Sequence, residues 1–408
     1  MRHFQIFLVI LLAMLQSGAI AWGGCVPSGT ETLDVRQVNE DGFGDTTNRY
    51  AWAMTEFKGK LYVGTNNLIH PIPGIALFFL GLPFTTNGAQ IWRGDIDDEG
   101  TWSWEKVVDR GNTSPLNYGI RKMTAVKDYL YAVTGNHICG FEVWRTLNGT
   151  NWEVVAQQGF GNAKNTSGRG LAVFKGYLYV GTENRTDGAQ IWRRRLNHTG
   201  DFARSSEWEK VVDRGLGDPL NFWFSDFEVY GDYLYTGTLR LGGMQLWRTD
   251  GKDFEQIFDK GYDDPTNMGA MKLYLYDDKL YIGTMNWLNG FDLYVSAETL
   301  DHYEGEHPAI VFNKVLEDDR VGGWSPYIWY LQGYKGRLYA GSFRLLGAFK
   351  LFSSADGETF ELETDDSFGC PAQYGVRTME VFKGRLMIGT ATALPDESCK
   401  VLEVTPAP

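Results

Sequence analysis

A short motif, Leu-Tyr or its equivalent after a turn of the Phe-Lys-Gly type, recurs seven times, at Leu61, Leu130, Leu178, Leu234, Leu280, Leu338 and Leu386. The intervals run from 46 residues, between Leu234 and Leu280, to 69, between Leu61 and Leu130. Self-similarity on this scale constrains a fold more than any local signal, because each unit must bury its apolar face against a neighbour of the same kind. Clear copies are Phe57-Lys58-Gly59-Lys60-Leu61-Tyr62-Val63-Gly64-Thr65 and Phe174-Lys175-Gly176-Tyr177-Leu178-Tyr179-Val180-Gly181-Thr182.

Each unit continues with a third run, as in Ile91-Trp92-Arg93, Val143-Trp144-Arg145, Ile191-Trp192-Arg193 and Leu246-Trp247-Arg248, degrading later to Leu293-Tyr294 and Leu351-Phe352. A fourth follows, as in Trp104-Glu105-Lys106-Val107-Val108-Asp109. Four short strands per unit predict an all-β chain folded as a seven-bladed β-propeller with four antiparallel strands per blade. The 14% of aromatic residues and 49 glycines agree with many strands joined by tight turns. The last unit stops after its third strand at Lys400 to Val404, while Leu33 to Val38 has the fourth-strand pattern. The N-terminal strand is therefore expected to close the last blade and leave no free edge.

Met1 to Ala21 reads as a secretory signal: a short basic start, an apolar run from Phe4 to Leu15, and the small-x-small site Ala19-Ile20-Ala21. The apolar run is too short to span a bilayer, which needs ~20 residues. Residues 22–408 are then one secreted domain with no transmembrane segment. The formal charge of −13 argues against a nucleic-acid partner. Four cysteines in an exported chain point to structural disulfides, with Cys370–Cys399 the expected pair and Cys25–Cys139 following by subtraction. Sequons occur at Asn112, Asn148, Asn165, Asn184 and Asn197.

Between the fourth strand and the next unit, Gly recurs with Asn six residues later: Gly42/Asn48, Gly111/Asn117, Gly159/Asn165, Gly215/Asn221 and Gly261/Asn267. A ring of calcium loops using Asp45, Asp218 and Asp264 is one reading. A turn in which Gly supplies positive φ and Asn bonds nearby backbone is the preferred one, since a single site has no need of five copies. It also implies that Asn165 is buried in its turn and unglycosylated, which leaves Asn112, Asn148, Asn184 and Asn197 as glycan acceptors.

In a propeller the fourth-to-first and second-to-third loops surround one mouth of the central channel. Seven residues before each repeat Leu the chain is uniformly apolar, from Met54 to Met379, and these positions are expected in the core. Nine residues before it stand Trp52, Arg121, Arg169, Ser225, Met271, Trp329 and Arg377, a set without a common type, as one asymmetric binding surface requires. Arg121, Arg169 and Arg377 are the candidate catalytic groups, as forked donors. Trp52, Trp329, Ser225, Met271, Asp226, Tyr330, Trp223 and Trp287 are the candidate substrate contacts. Such walls suit an oxygenated, aromatic or anionic small molecule.

The insertion from Asn66 to Thr86 is rich in apolar residues, Phe78 and Phe79 among them. It is expected to cover the mouth and contact substrate; contact with a membrane or partner, or plain packing, are the alternatives. No HExxH, GxSxG or P-loop occurs, and the histidines lack metal-ligand spacing, so no metal or cofactor is expected. Ser354 to Phe360 resembles the Asp-box of sialidases, but their Arg-Ile-Pro motif is missing.

In signal, sequons, absent cofactor and pocket character, the mature chain resembles the secreted fungal hetero-Diels–Alderases of tropolone-sesquiterpene biosynthesis. The resemblance implies a cofactor-free cyclisation or cycloaddition by enclosure and hydrogen bonding, with the lid, Trp52 and Trp329 clamping two apolar reactants while the arginines polarise an oxygen. A secreted glycan-binding or surface-recognition propeller without catalysis is the alternative.

Overall fold

The computed structural model describes residues 25–69, 83–297, 310–318, 324–344, 347–392, 394 and 397–407. The signal segment and the expected contacts Phe78 and Phe79 lie outside these residues. The chain is all-β, closed and antiparallel, a propeller-like arrangement. No helix among the described residues is long and apolar enough to cross a membrane.

Asn48–Phe57 pairs with Lys60–Asn67, which pairs with Ile91–Ile96, which pairs with Trp102–Val108. The same antiparallel order recurs along the chain and ends with Gln373–Phe382, Arg385–Thr392 and Val401–Pro406. Leu33–Gln37 completes that last run by pairing with Val401–Pro406. Successive runs touch through single bridges such as Asn66 to Gly119 and Gly135 to Ser167, and the bridge from Tyr50 to Ala391 shuts the ring.

The repeated motif explains itself physically. Lys58 and Gly59 both have positive φ, 49° and 73°, which makes the two-residue turn whose twist matches a hairpin. The following glycine is needed for a close approach. A Cβ on Gly64 would sit 2.5 Å from the Ile120 Cβ of the next run, and one on Gly341 would sit 2.4 Å from Val376. Near the end of the strand the Thr65 hydroxyl accepts the Gln90 N–H at 3.0 Å, and Thr182 does the same for Gln190 at 2.8 Å. The core lies between neighbouring runs, where the positions seven before each repeat Leu are buried, as expected.

The Gly/Asn repeat is a turn network. Asn48, Asn117, Asn165, Asn221 and Asn267 each donate Nδ2 to the glycine carbonyl six residues back, at 2.7 to 3.4 Å. Asp45 and Asp264 accept from Thr47 and Thr266 within their own turns, and no group of metal-ligating residues exists among the described residues. Asn165 is fully buried.

Two expectations are corrected. The disulfide joins Cys25 to Cys370, with Cα atoms 5.3 Å apart, in place of Cys370–Cys399 and Cys25–Cys139. The Ser28 N–H donates to Phe368 O, which lays the N-terminal segment on the turn carrying Cys370. Cys399 faces inward among Phe43, Met54 and Val63, and Cys139 is an exposed thiol. Asn184 is buried, so its sequon is not an available acceptor. It donates Nδ2 to Asn165 at 3.0 Å, and its Oδ1 accepts the N–H groups of Thr186 and Asp187. Asn112 and Asn148 are exposed, while Asn197 is half-buried.

Candidate functional site

The innermost strands of the runs meet around the axis, and each carries a β-bulge at the same place. Pairing slips between Ala51 and Ala53, Ile120 and Lys122, Phe224 and Phe227, Ala270 and Lys272, Ile328 and Tyr330, and Val376 and Thr378. A bulge interrupts the alternation of a strand and re-aims side chains. Two consecutive residues of most inner strands therefore face the centre, where a regular strand presents one.

All seven residues nine before the repeat Leu line one central cavity of about 80 Å³. The bulge brings the next residues in as well, notably Lys122, Asp226, Lys272 and Tyr330. Trp223 is buried just outside under Arg169, whose guanidinium carbon is 3.9 Å from the ring centre. Trp287 is not part of the lining. It packs on Tyr327 and Phe343, in an aromatic layer that also holds Tyr50 and Tyr374, joined hydroxyl to hydroxyl.

The cavity has two unlike sides. On one, Asp226 accepts from Lys122 and, at 2.8 Å, from Lys272. Burial pushes the Asp226 carboxyl up, yet the two ammonium groups hold it down at about 2. The same pairing outweighs burial at Lys272 and raises its ammonium well above the usual range. On the other side, Arg121 lies 4.1 Å over Trp52, and Arg377 lies between Trp52 and Trp329, at 5.1 and 4.9 Å. Burial, then the charge of Arg169, lowers Arg121 well below its ordinary value and brings Arg377 down to about 9. Arg169 donates to Glu183 at 2.8 Å, and Glu183 also accepts from Arg185 at 2.7 Å. These arginines overcome the burial of Glu183 and hold it well below the carboxylate range. Ser225 is spent on its own sheet, donating to Gly237 O at 3.1 Å.

Sequence reasoning missed Lys122 and Lys272, because period-two alternation hides them until the bulge is known. It also missed Glu228 and Glu380, six residues before Leu234 and Leu386, on the strands bearing Asp226 and Arg377. Burial pushes both carboxyls up to about 7; Lys272 opposes this for Glu228, and Glu56 reinforces it for Glu380. The constant offset of nineteen residues in Asn117/Asn136 and Asn165/Asn184 was a further readable signal, since in each pair the later Asn donates a buried side-chain hydrogen bond to the earlier at 3.0 Å.

No protein-family description matches the sequence, and no curated protein matches it. Solved structures do resemble it in fold. A 6-phosphogluconolactonase candidate from Bacteroides fragilis NCTC 9343 aligns at a TM-score of 0.52 with 11% identity, over 82% of this chain and 95% of that one. A counterpart from Bacteroides uniformis ATCC 8492 gives 0.50 with 11% identity, over 82% and 96%. A prolyl endopeptidase gives 0.46 with 11% identity; the match spans 89% of this chain and about half, 51%, of that one. At such identity the likeness is one of fold: a closed, propeller-like β-protein.

Proposed function

We propose that this chain is a secreted seven-bladed β-propeller, four strands to a blade, that binds a small oxygenated molecule in its central cavity. Arg121, Arg169 and Arg377 are its donors, and Trp52, Trp329 and Met271 its apolar walls. The observation that carries the reading is the convergence on one cavity of seven residues from seven inner strands, a set of Arg, Trp, Ser and Met with no type common to all. The disulfide is compatible with an oxidising compartment.

Cycloaddition between two apolar reactants asks for more room. Sites that enclose drug-sized ligands run to roughly 300 Å³ or more, against about 80 Å³ here. Binding is therefore the part of the expectation the geometry supports, and cofactor-free chemistry at the arginines is what a turnover assay on the bound molecule would reveal. Native mass spectrometry of the secreted protein against small-molecule extracts of its source tests the binding. Retention of one compound by the parent and its loss in Trp52→Ala is the expected result; equal retention by both places the ligand elsewhere.

Surface recognition has one observation in its favour. Ile138, Leu220, Leu241 and Leu288 are exposed in loops that the strand order puts on a single face, that of the mouth. Retention of glycans or a protein, insensitive to Trp52→Ala, would select that reading.

A further inference from the structure

Among the described residues the charges around the cavity do not balance. Five cations line it, Arg121, Lys122, Arg169, Lys272 and Arg377, and one carboxylate, Asp226. Asp226 is already shared between two lysines, and Glu183, behind Arg169, is shared between two arginines. Arg377 forms no ion pair among the described residues, and its buried Nε has no hydrogen-bond partner. Its neighbours are the faces of Trp52 and Trp329, which hold the guanidinium plane but leave its N–H edge unused. A buried cation in this position is costly unless an opposite charge joins it.

We infer that the cavity is built for a compact anion bearing several oxygens, an oxyanion or a dicarboxylate the size of oxalate. This inference rests on the central cavity being the binding site. The forked, planar donors of arginine match paired oxygens better than a lone halide. The arginines come from three different inner strands, and the depressed basicity of Arg121 and Arg377 traces in part to Arg169, so their charges act on the same space. The volume of about 80 Å³ selects a small group or the charged end of a larger one. The indole walls then cover its faces while the guanidinium edges meet its oxygens.

The test uses oxalate, inorganic phosphate and oxamide, the neutral isostere of oxalate, in titration calorimetry with the whole secreted chain at ionic strength matched by sodium chloride. One equivalent of oxalate or phosphate should bind at least tenfold more tightly than oxamide. Arg377→Gln should weaken it tenfold or more, and Arg377→Lys less. The parent comparison needs no variant, so a misfolded substitution does not decide the matter. Oxamide binding as tightly as oxalate would overturn the anion assignment and leave the cavity reading standing. An anion response no greater than that of sodium chloride would overturn it too. If a larger neutral compound binds and is lost in Trp52→Ala, only the anion inference falls; if nothing binds, both readings fall.

Discussion

The Asp226 side and the Trp52 side of the cavity both hold buried cations, by different means. Lys122 and Lys272 close on one carboxylate, Asp226, which offsets their charge. Arg121 and Arg377 rest on indole faces, which attract a cation without cancelling it. The first arrangement is structural, because removing its anion strands two charges. At Arg377, which has no ion pair among the described residues, the second leaves charge in reserve for something that enters.

Breaking the carboxylate side gives the largest expected effect. Asp226→Ala should cost about 3–5 kcal/mol, the usual result of stripping one partner from a buried ion pair, read as a lower midpoint in urea unfolding. Next comes Arg169→Met, which leaves Glu183 with Arg185 alone; we expect a loss of about 1–3 kcal/mol by the same measurement.

Acidity sharpens the contrast. The Glu228 and Glu380 carboxyls sit at about 7 in the folded chain, above the ordinary unfolded value, so the folded state binds protons more tightly than the unfolded one. Their contribution is therefore present in acid and lost as pH rises towards 7, with no further change above it. Stability should fall by about 1–3 kcal/mol between pH 5 and 7.5 in unfolding curves, and Glu228→Gln with Glu380→Gln should flatten that slope. Asp226 works oppositely, losing its contribution only as pH falls towards about 2. The smallest effect is expected at Arg377→Met, within about 1 kcal/mol of the parent in thermal unfolding, because an apolar side chain keeps the contact with both indoles and sheds an unpaired charge. A loss as large as that of Asp226→Ala would mean that the two sides are alike.

Much of this architecture was legible because its causes are local. A lysine-glycine turn, a strand, and a glycine that lets the next run approach are fixed by neighbouring residues, so repetition exposes them. Counting back from each repeat Leu also found the first ring of cavity residues. The bulge was hidden: it adds a residue to one strand without changing composition, and only the pairing shows that Lys122 and Lys272 turn inward beside Arg121 and Met271. The cysteines failed for another reason. Which thiols meet depends on the path of residues 25–32 over the turn at Cys370, and no periodicity describes that path. Asn184 looked like an acceptor because a sequon carries no information on burial.

The joining of Leu33–Gln37 to Val401–Pro406, with the Cys25–Cys370 bond beside it, has a consequence for biosynthesis. The partner of the first strand is made several hundred residues after it. At ~5–20 residues per second, the 345 residues separating the two cysteines take roughly 20 to 70 s to synthesise. For that time Leu33–Gln37 lacks its partner and presents an open, adhesive edge. Loss of Val401–Pro406 alone would leave that edge exposed for good, and the product should be cleared by quality control although every cavity residue is present.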